Sequence, residues 1–441
     1  MSERWARSML WTYRWLGAAA YPFIGTYVGW RAAKGKEDPR RRRERYGVTK
    51  VERPSGPIVW VHAASVGEMS AVSPLAESIA ALGVNVVLTT GTVTSARMAN
   101  SRFSGRIIHQ YVPLDLKPAV SRFLSHWKPD LAIIAESEIW PMTILELGAR
   151  RVPQVLVNGR LSDRSYRAWK KRSWLAEGLL ENLAMVLAQS DVDGERFRDL
   201  GARPVQVTGN LKVDTPPLPV DDQALDALLR QIANRKTWVA ASTHEGEEAL
   251  CADVHRVLKR RHRDLLTVIV PRHVDRADAL EAGMVAKGLK VARRSRNDAI
   301  APDCDILLGD TMGEMGLYLR LADIAFVGKS LTGEGGQNPL EPAMLDTAIL
   351  SGRNVQNFRE SYQRLVRNGG ARLIKDRDML AGAVNYLFNN PEMRQAMMRA
   401  ARETVEGMRG ALSRTLDGLE PFIQPLVVES RLNREKEEGR S

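Results

Sequence analysis

Cysteine is scarce in this chain of 441 residues, which contains only Cys251 and Cys304. Two cysteines cannot build the disulfide framework that holds small secreted domains together, and they exclude a zinc site with four cysteine ligands. We therefore expect a fold held by ordinary hydrophobic cores, in a reducing and cytoplasmic setting.

Several nucleotide and metal signatures are also incomplete. Gly328-Lys-Ser330 ends like a P-loop, but Asp323 replaces the glycine that a P-loop needs five positions earlier. His244-Glu245 lacks the second histidine of a zinc protease, because Glu248 occupies its place. No GxGxxG follows the first apolar run, which argues against a dinucleotide site.

The overall composition is that of a folded protein, with 44% hydrophobic and 26% charged residues. The length is sufficient for two domains with separate cores. Lysine and arginine outnumber aspartate and glutamate by 64 to 52, which gives a formal net charge of +12. This excess indicates an anionic partner, and nucleic acid, a membrane surface and a phosphorylated substrate are all open at this point.

The N-terminal region has the composition of a membrane anchor. Residues 9–30 are apolar and aromatic apart from Arg14, and Lys34, Lys36 and the run Arg40–Arg43 follow directly. Tryptophan and tyrosine suit the headgroup layer, and the basic residues favour the anionic cytoplasmic leaflet. We assign residues 1–44 to a membrane anchor with a basic juxtamembrane segment.

The way in which this anchor meets the bilayer is left open by the sequence. The uncharged stretch Trp15–Trp30 is shorter than the roughly 20 residues of a perpendicular span, and Pro22 interrupts it. A tilted span, an interfacial helix, and a buried first helix with a solvated basic loop are the alternatives. A cleaved signal peptide is disfavoured, because the small-residue cleavage pattern is missing.

The rest of the chain repeats one plan in its two halves. Apolar runs in the first half, at 58–61, 84–88 and 131–135, lead into HAASVGE, TTGTVTS and ESEIWP. Apolar runs in the second half, at 237–241, 265–270 and 324–327, lead into STHEGEE, PRHVDRAD and GKSLTGEGG. Strands that alternate with helices predict parallel sheets with ligands bound beyond the carboxyl ends of the strands.

We therefore predict an α/β protein with two Rossmann-like domains that face each other across a cleft. The first domain covers residues 45–214 and the second covers residues 224–428. A stiff, proline-rich linker at residues 215–223 separates them, and residues 429–441 form a charged tail.

Four polar residues of the first half are candidates for chemistry. Glu68 follows the first strand, where it is either a first-turn acid on the helix dipole or a general base. Glu136 and Glu138 alternate in ESEIWP, so both lie on one side of an extended chain. Lys212, in GNLKVD, is either a surface lysine or a cation aimed at a leaving phosphate.

The second half offers candidates for nucleotide binding. Arg272 stands at a strand end, where it either binds phosphate or forms a surface ion pair. Gly313-Glu314 begin a helix whose free amides could hold an anion, and Glu341 in GGQNPLEPA could accept hydrogen bonds from ribose. Ser242 with Glu245 predicts a capping box at the start of another helix.

As an ordered set, these segments resemble the Kdo transferase family. The similarity runs through HAASVGE, TTGTVTS, ESEIWP, VNGRLSDRS, GNLKVD, STHEGEE, VPRH, GDTMGE and GGQNPLEP. Members transfer 3-deoxy-D-manno-octulosonic acid (Kdo) from CMP-Kdo to a lipid A precursor. The resemblance implies a glycosyltransferase of the GT-B type, an anchor in the inner membrane, a cytoplasmic active site and no nucleic-acid partner.

The resemblance also implies roles for individual residues. Glu68 corresponds to the proton acceptor, and Glu136 and Lys212 correspond to residues that stabilise the transition state, although Glu138 is too close to Glu136 for the two to be separated. An inverting reaction without a metal or cofactor is expected, since a departing CMP carries a single phosphate. The expected CMP contacts are Pro271, Arg272, Met312, Gly313, Glu314, Asn338, Pro339, Leu340 and Glu341.

Two departures from the family pattern flank the donor site. Gln337 stands where many members have histidine, and SGRNVQNF stands where many read GPHTFNF.

Two other functions share some of the sequence features described above. A two-Rossmann nucleotide-sugar epimerase would need no anchor, and a membrane-tethered binder of anionic lipid would leave the acids unexplained.

Overall fold

The computed structural model describes residues 24–35, 37–103 and 105–438. The chain divides into two compact units, and the division falls between Thr215 and Pro216. Residues 409–441 belong to the first unit although they follow the second in sequence. Most of the expected anchor, residues 1–23, lies outside the described residues.

The first unit is a seven-stranded parallel sheet in the order β3-β2-β1-β4-β5-β6-β7. Its strands are β1 (Ile58–Ala63), β2 (Asn85–Thr90), β3 (Ile108–Tyr111), β4 (Leu131–Ala135), β5 (Gln154–Gly159), β6 (Met185–Ala188) and β7 (Val205–Val207). Its helices are α1 (Ile24–Ala33), α2 (Val66–Ala81), α3 (Val93–Phe103), α4 (Lys117–Trp127), α5 (Pro141–Ala149), α6 (Asp163–Lys170), α7 (Ser173–Leu180) and α8 (Asp191–Asp199).

The second unit is also a seven-stranded parallel sheet, in the order β10-β11-β9-β8-β12-β13-β14. Its strands are β8 (Thr237–Thr243), β9 (Leu266–Pro271), β10 (Val291–Arg293), β11 (Ile306–Leu308), β12 (Ile324–Val327), β13 (Ala348–Ser351) and β14 (Ala371–Leu373). Its helices are α9 (Asp222–Ile232), α10 (Glu247–Lys259), α11 (Ala277–Ala286), α12 (Met315–Leu319), α13 (Leu340–Met344), α14 (Arg359–Arg367), α15 (Arg377–Asn389) and α16 (Pro391–Glu406).

Both sheets are covered by helices on their two faces, which explains the unbroken apolar runs of the sequence. In β1, Val59 and Val61 belong to one core cluster, whereas Trp60 between them packs on the opposite face with Phe123 and Trp127. Each strand therefore fills two cores by simple alternation of its side chains. The Rossmann-like fold predicted for each half is confirmed.

The predicted correspondence between the halves is confirmed as well. The first, second and fourth strands of the first sheet lie side by side, and β9, β8 and β12 take the matching places in the second sheet. The additional strand β11 pairs with β9 and separates it from β10. In both units the polar loops of the sequence follow the carboxyl ends of the strands.

The C-terminal segment differs from the prediction. A single helix, α17 (Ala411–Glu438), packs on the first sheet, where Leu419 and Ile423 join the core of β1 and α2. Ser430 donates a hydrogen bond to the Gly83 carbonyl at 2.6 Å. The assignment of residues up to 428 to the second domain was therefore wrong, because apolar residues at helical spacing bind this segment to the first unit. Residues 429–438 of the expected charged tail continue the same helix.

The basic segment near residue 40 is partly built into the first unit. Arg45 is buried, forms an ion pair with Glu37 at 2.9 Å, and donates hydrogen bonds to the carbonyls of Gly91 and Val112. Arg41 bonds the His109 carbonyl at 2.8 Å. A guanidinium has five donors, so it can tie a chain segment to several strand ends at once.

Four other basic residues of this segment are exposed, namely Lys34, Arg40, Arg42 and Arg43. Lys34 lies over the ring of Trp30, with 4.2 Å between its Nζ and the ring centre. Within residues 24–35, 37–103 and 105–438, none of the helices is both long and apolar enough to cross a bilayer.

Candidate active site

The catalytic candidates of the first unit collect at one edge of its sheet. The strand order reverses between β1 and β4, and residues after both strands flank this point. Ligands of open parallel sheets bind at such reversals, because the loops leave in opposite directions and open a crevice. Glu68 follows β1, whereas Glu136 and Glu138 follow β4.

Glu68 is fixed by the first turn of α2. Ser65 caps the helix by accepting a hydrogen bond from the Glu68 amide, and its hydroxyl donates to Glu68 Oε1 at 2.7 Å. The Ala64 amide donates to Glu68 Oε2 at 2.8 Å. Burial raises the pKa of Glu68 and the nearby Glu136 carboxylate adds to the rise, while the Ser65 hydrogen bond opposes it. A carboxylate with a raised pKa is a stronger base.

Glu136 and Lys212 form an ion pair that is largely shielded from solvent. Asn158, at the end of β5, donates to Glu136 Oε1 at 3.4 Å and accepts from the Leu211 amide at 3.0 Å. The same amide side chain thus joins the acid to the short 3-10 helix, Leu211–Val213, that carries the lysine. The motif VNGR suggested no role for Asn158.

The backbone at both residues is unusual. Glu136 has φ 54° and Asn158 has φ 52°, which is the left-handed region. Asparagine adopts this conformation readily, whereas glutamate does so at a cost. Strained residues of this kind concentrate at functional sites, where the surrounding fold holds them in place.

Glu138 lies in a less polar environment than its neighbours. The Trp140 indole donates a hydrogen bond to it, and His62 Nε2 lies 4.0 Å from its Oε2. Burial, followed by the Glu68 charge, raises the pKa of Glu138 to about 7. Burial lowers the pKa of His62 to about 4, so the imidazole is neutral near pH 7 and does not form a salt bridge.

The structure therefore brings Glu68, Glu136 and Lys212 together, as the sequence-based assignment requires. It also distinguishes Glu136 from Glu138, because Glu136 alone of the two is paired with the lysine. His62 and Trp140, which surround Glu138, were not among the predicted residues. Across the described part of the chain, no three His, Cys, Asp or Glu side chains are grouped so that they could hold a metal ion.

In the second unit, a buried glutamate organises the loop after β12. Glu247 is fully buried, and its carboxylate accepts hydrogen bonds from the amides of His244, Lys329, Ser330 and Leu331 at 2.6–3.0 Å. Four amide donors on one carboxylate satisfy all its main lone-pair directions. The loop is thereby held against the start of α10.

The capping box predicted for Ser242 and Glu245 was wrong. Gly246 caps α10 with φ 88°, so the helix begins at Glu247, and Ser242 itself has φ 53°. Glu247 takes the role expected of Glu245 by reaching back to the His244 amide. A glycine in the left-handed conformation therefore moved the helix start beyond the predicted position.

Arg272 directly follows β9 and is exposed. Its amide bonds the Thr243 carbonyl at 2.9 Å, which ties it to the end of β8. The surface ion pair that was its alternative assignment is not found among the described residues. His244 and His273 lie close by, with 5.5 Å between their ring centres.

The other expected nucleotide contacts lie at neighbouring strand ends. Met312 is 62% exposed and Gly313 has φ 88°, in the loop after β11. Glu314 forms an ion pair with Arg294 at 2.8 Å. After β12, the Asn338 side chain accepts from the Leu340 amide and donates to Glu341 at 3.2 Å.

Residues 40–215 match the family profile described as 3-deoxy-D-manno-octulosonic-acid transferase (kdotransferase). The 3-deoxy-D-manno-octulosonic acid transferase of Haemophilus influenzae is 33% identical over 419 residues, which cover 91% of this chain and 96% of that protein. The chain belongs to the Kdo transferase family. It is therefore a glycosyltransferase, and the family recognised from the sequence motifs is confirmed.

Solved structures with a similar fold have little sequence identity with this Kdo transferase family member. A glycosyltransferase from Rickettsia africae superposes with a TM-score of 0.60 at 12% identity, covering 84% of this chain and 99% of that chain. The UDP-GlcNAc 2-epimerase of Neisseria meningitidis gives 0.58 at 14% identity, covering 82% and 99%. These similarities concern the fold alone.

The raised pKa of Glu138 predicts how stability depends on pH. A carboxyl group whose pKa is about 7 in the folded protein, against 4.5 otherwise, holds its proton more tightly when folded. The stability that the protein gains from this tighter proton binding is fully present below the unfolded-state pKa of 4.5. It is lost as the pH rises through the folded-state pKa of about 7. Glu138→Gln should therefore gain stability relative to wild type by about 1–3 kcal/mol between about pH 5 and about pH 8.

Urea unfolding at the two pH values measures this difference. Glu181→Gln is the matched control, since Glu181 is an exposed acid of the same unit and its loss should leave the pH dependence unchanged. Identical pH dependence in wild type and Glu138→Gln would contradict the prediction.

Proposed function

We propose that the protein transfers Kdo from CMP-Kdo to a lipid A precursor, with inversion at the anomeric carbon. The observation that carries this proposal is the Glu136–Lys212 ion pair with Glu68 beside it, at the strand reversal of the first sheet. Membership of the Kdo transferase family identifies Kdo as the transferred sugar. The exposed cation Arg272 in a loop of the second unit suits the phosphate of a nucleotide donor.

In the proposed reaction, Glu68 accepts the proton of an acceptor hydroxyl. Each oxygen of its carboxylate receives one hydrogen bond from the protein and keeps a lone pair for this proton. The acceptor oxygen then bonds the anomeric carbon of Kdo, while the bond from that carbon to the phosphate oxygen breaks. CMP leaves with the bonding electrons, and a single displacement inverts the configuration.

Lys212 is proposed to stabilise the charge that develops in the transition state. Its ammonium is held by Glu136 and is largely shielded from water, where an oriented charge is more effective than in bulk solvent. On the donor side, we assign Arg272 to the phosphate, since its guanidinium is exposed at a strand end. The stretches 312–314 and 338–341 are proposed to contact the rest of CMP.

Glu68→Gln tests the proposed general base. Replacement of a general base commonly lowers the rate by about a hundredfold to ten-thousandfold, and we expect a loss in kcat of that size with CMP affinity retained. Transfer from CMP-Kdo to tetraacylated lipid A precursor, followed by mass spectrometry, measures the product. Glu77→Gln is the control, because Glu77 lies on the same helix in a partly exposed ion pair with Arg102.

Near-normal turnover of Glu68→Gln would remove this residue from the mechanism. Parallel incubation of the wild-type protein with UDP-GlcNAc tests the epimerase alternative, which no described residue of the site specifically supports. A wild-type protein that binds lipid vesicles but transfers no Kdo would favour the non-enzymatic alternative.

Arg272→Ala tests the donor assignment. Charge-assisted hydrogen bonds contribute about 1.5–3 kcal/mol, so CMP affinity should fall roughly tenfold or more. Calorimetric titration of CMP measures the change. Arg263→Ala is the control, because Arg263 is exposed at the opposite end of the same strand, β9. Equal CMP affinities of wild type and Arg272→Ala would exclude the phosphate contact.

We further propose that the N-terminal segment attaches the enzyme to the cytoplasmic face of the inner membrane, next to its lipid acceptor. The support is the apolar composition of residues 9–30 and the exposed Lys34, Arg40, Arg42 and Arg43 beyond them. Anionic headgroups attract such basic residues.

Removal of residues 1–23 should release the protein from membranes and preserve transfer to detergent-dispersed acceptor. This truncation keeps α1, whose Val28 is buried in the structure. Membrane fractionation and a detergent assay report the two effects separately. A truncated protein that is folded but inactive on dispersed lipid would show that the segment contributes to the acceptor site.

A further inference from the structure

Lys329 is a cation of the second unit, and the proposed function assigns no role to this lysine. It belongs to the sequence Gly328-Lys-Ser330, which resembles a P-loop only at its end. Its backbone amide donates to Glu247 Oε2 at 2.6 Å, and its carbonyl accepts from the Gly336 amide at 2.9 Å. These bonds fix the position of the residue within the loop.

The same bonds place Lys329 beside the proposed nucleotide contacts. The Gln337 amide donates to the Gly328 carbonyl at 3.2 Å, so the loop closes immediately before Asn338–Glu341. The Gln337 side chain lies 3.0 Å from His244 Nε2. Burial lowers the pKa of His244, and the charge of Lys329 is the next largest cause, with a smaller effect of Arg272. The lysine and the arginine therefore both lie within electrostatic reach of the histidine.

The two cations of this group have no acidic ion-pair partner among the residues that the structure describes. Glu247, the acid in contact with the loop, directs its oxygens to four backbone amides. Neither Lys329 nor Arg272 forms an ion pair with an acid in the part of the chain that the structure describes. Uncompensated cations at the carboxyl ends of parallel strands attract an anionic ligand.

The conformation of Lys329 is a second, independent indication. Its φ of 57° lies in the left-handed region, where glycine is unstrained and lysine is not. The surrounding hydrogen bonds hold the residue there at a cost in stability. Such strain is typical of residues whose side chain has a function.

We propose that the Lys329 ammonium binds the carboxylate of the transferred sugar acid. This inference rests on the proposed function. A CMP-linked octulosonic acid carries two anionic groups, a phosphate and a carboxylate, and both are attached to the anomeric carbon. Arg272 matches the phosphate with its planar fork, whereas an ammonium is a compact charge that suits a carboxylate. Together the two cations would distinguish an acidic sugar from a neutral one.

The test compares a ligand that has the carboxylate with one that lacks it. The KM for CMP-Kdo and the inhibition constant of CMP are measured for wild type, Lys329→Met and Arg272→Ala. Lys329→Met should raise the KM for CMP-Kdo about tenfold or more and change the CMP inhibition constant by less than about twofold. Arg272→Ala should raise both constants.

Three further variants keep the test specific. Lys329→Arg retains the charge and should retain most of the donor affinity. Lys329→Gly removes the side chain but suits the left-handed backbone, so it should fold as well as wild type and still lose donor affinity. Lys290→Met is the matched control, because it removes an exposed lysine, paired with Asp303, from the opposite end of the sheet.

An unchanged KM for CMP-Kdo in Lys329→Met and Lys329→Gly would overturn the proposal. Equal weakening of CMP and CMP-Kdo would overturn it too, since it would assign the lysine to the phosphate. These outcomes can be distinguished from a failure of the proposed function, because in that case the wild-type protein itself would transfer no Kdo.

Discussion

The ion pair between Glu136 and Lys212 is the interaction on which the acidic edge of the first sheet depends. Three glutamates follow two adjacent strands there, and Glu68 and Glu138 both have a raised pKa. Like charges in a partly buried site destabilise one another, so the single ammonium makes this arrangement tolerable. It does so with the help of Asn158, which joins Glu136 to the backbone next to Lys212.

The pair also explains why the glutamates differ in character. Glu136 has a cation as its partner, Glu68 has a hydroxyl and an amide, and Glu138 has an indole and a neutral histidine. Burial is the largest cause of the raised pKa of Glu68 and of Glu138, and their hydrogen bonds to the protein oppose the rise. One strand edge thus offers an ion-paired acid, a base and a group that titrates near neutral pH.

The second unit uses a buried glutamate in the opposite way. Glu247 accepts hydrogen bonds from four backbone amides, so its charge stabilises the loop after β12. Among the described residues, Arg272 and Lys329 have no acidic ion-pair partner. The two units share a strand plan, yet the carboxylates Glu68, Glu136 and Glu138 follow strands of the first unit, whereas the cations Arg272 and Lys329 follow strands of the second. In the proposed reaction, a carboxylate of the first unit would remove a proton from the acceptor, and the cations of the second unit would bind the anionic donor.

Much of the fold was predictable from the sequence, because buried parallel strands must be continuous apolar runs and their loops must be polar. The run 131–135 coincides with β4, and the run 324–327 coincides with β12. The family and the candidate residues Glu68, Glu136 and Lys212 were also accessible, since they are carried by short contiguous motifs.

Only the tertiary structure decided which of these residues are partners. Glu136 and Lys212 are far apart in the chain, and their pairing depends on the adjacency of β4 and β5 and on a left-handed turn at each strand end. The return of α17 to the first unit and the start of α10 at Glu247 were missed for a related reason. Local patterns predict that a segment is helical or strand-like, but contacts between distant segments select its neighbours and the conformation of its ends.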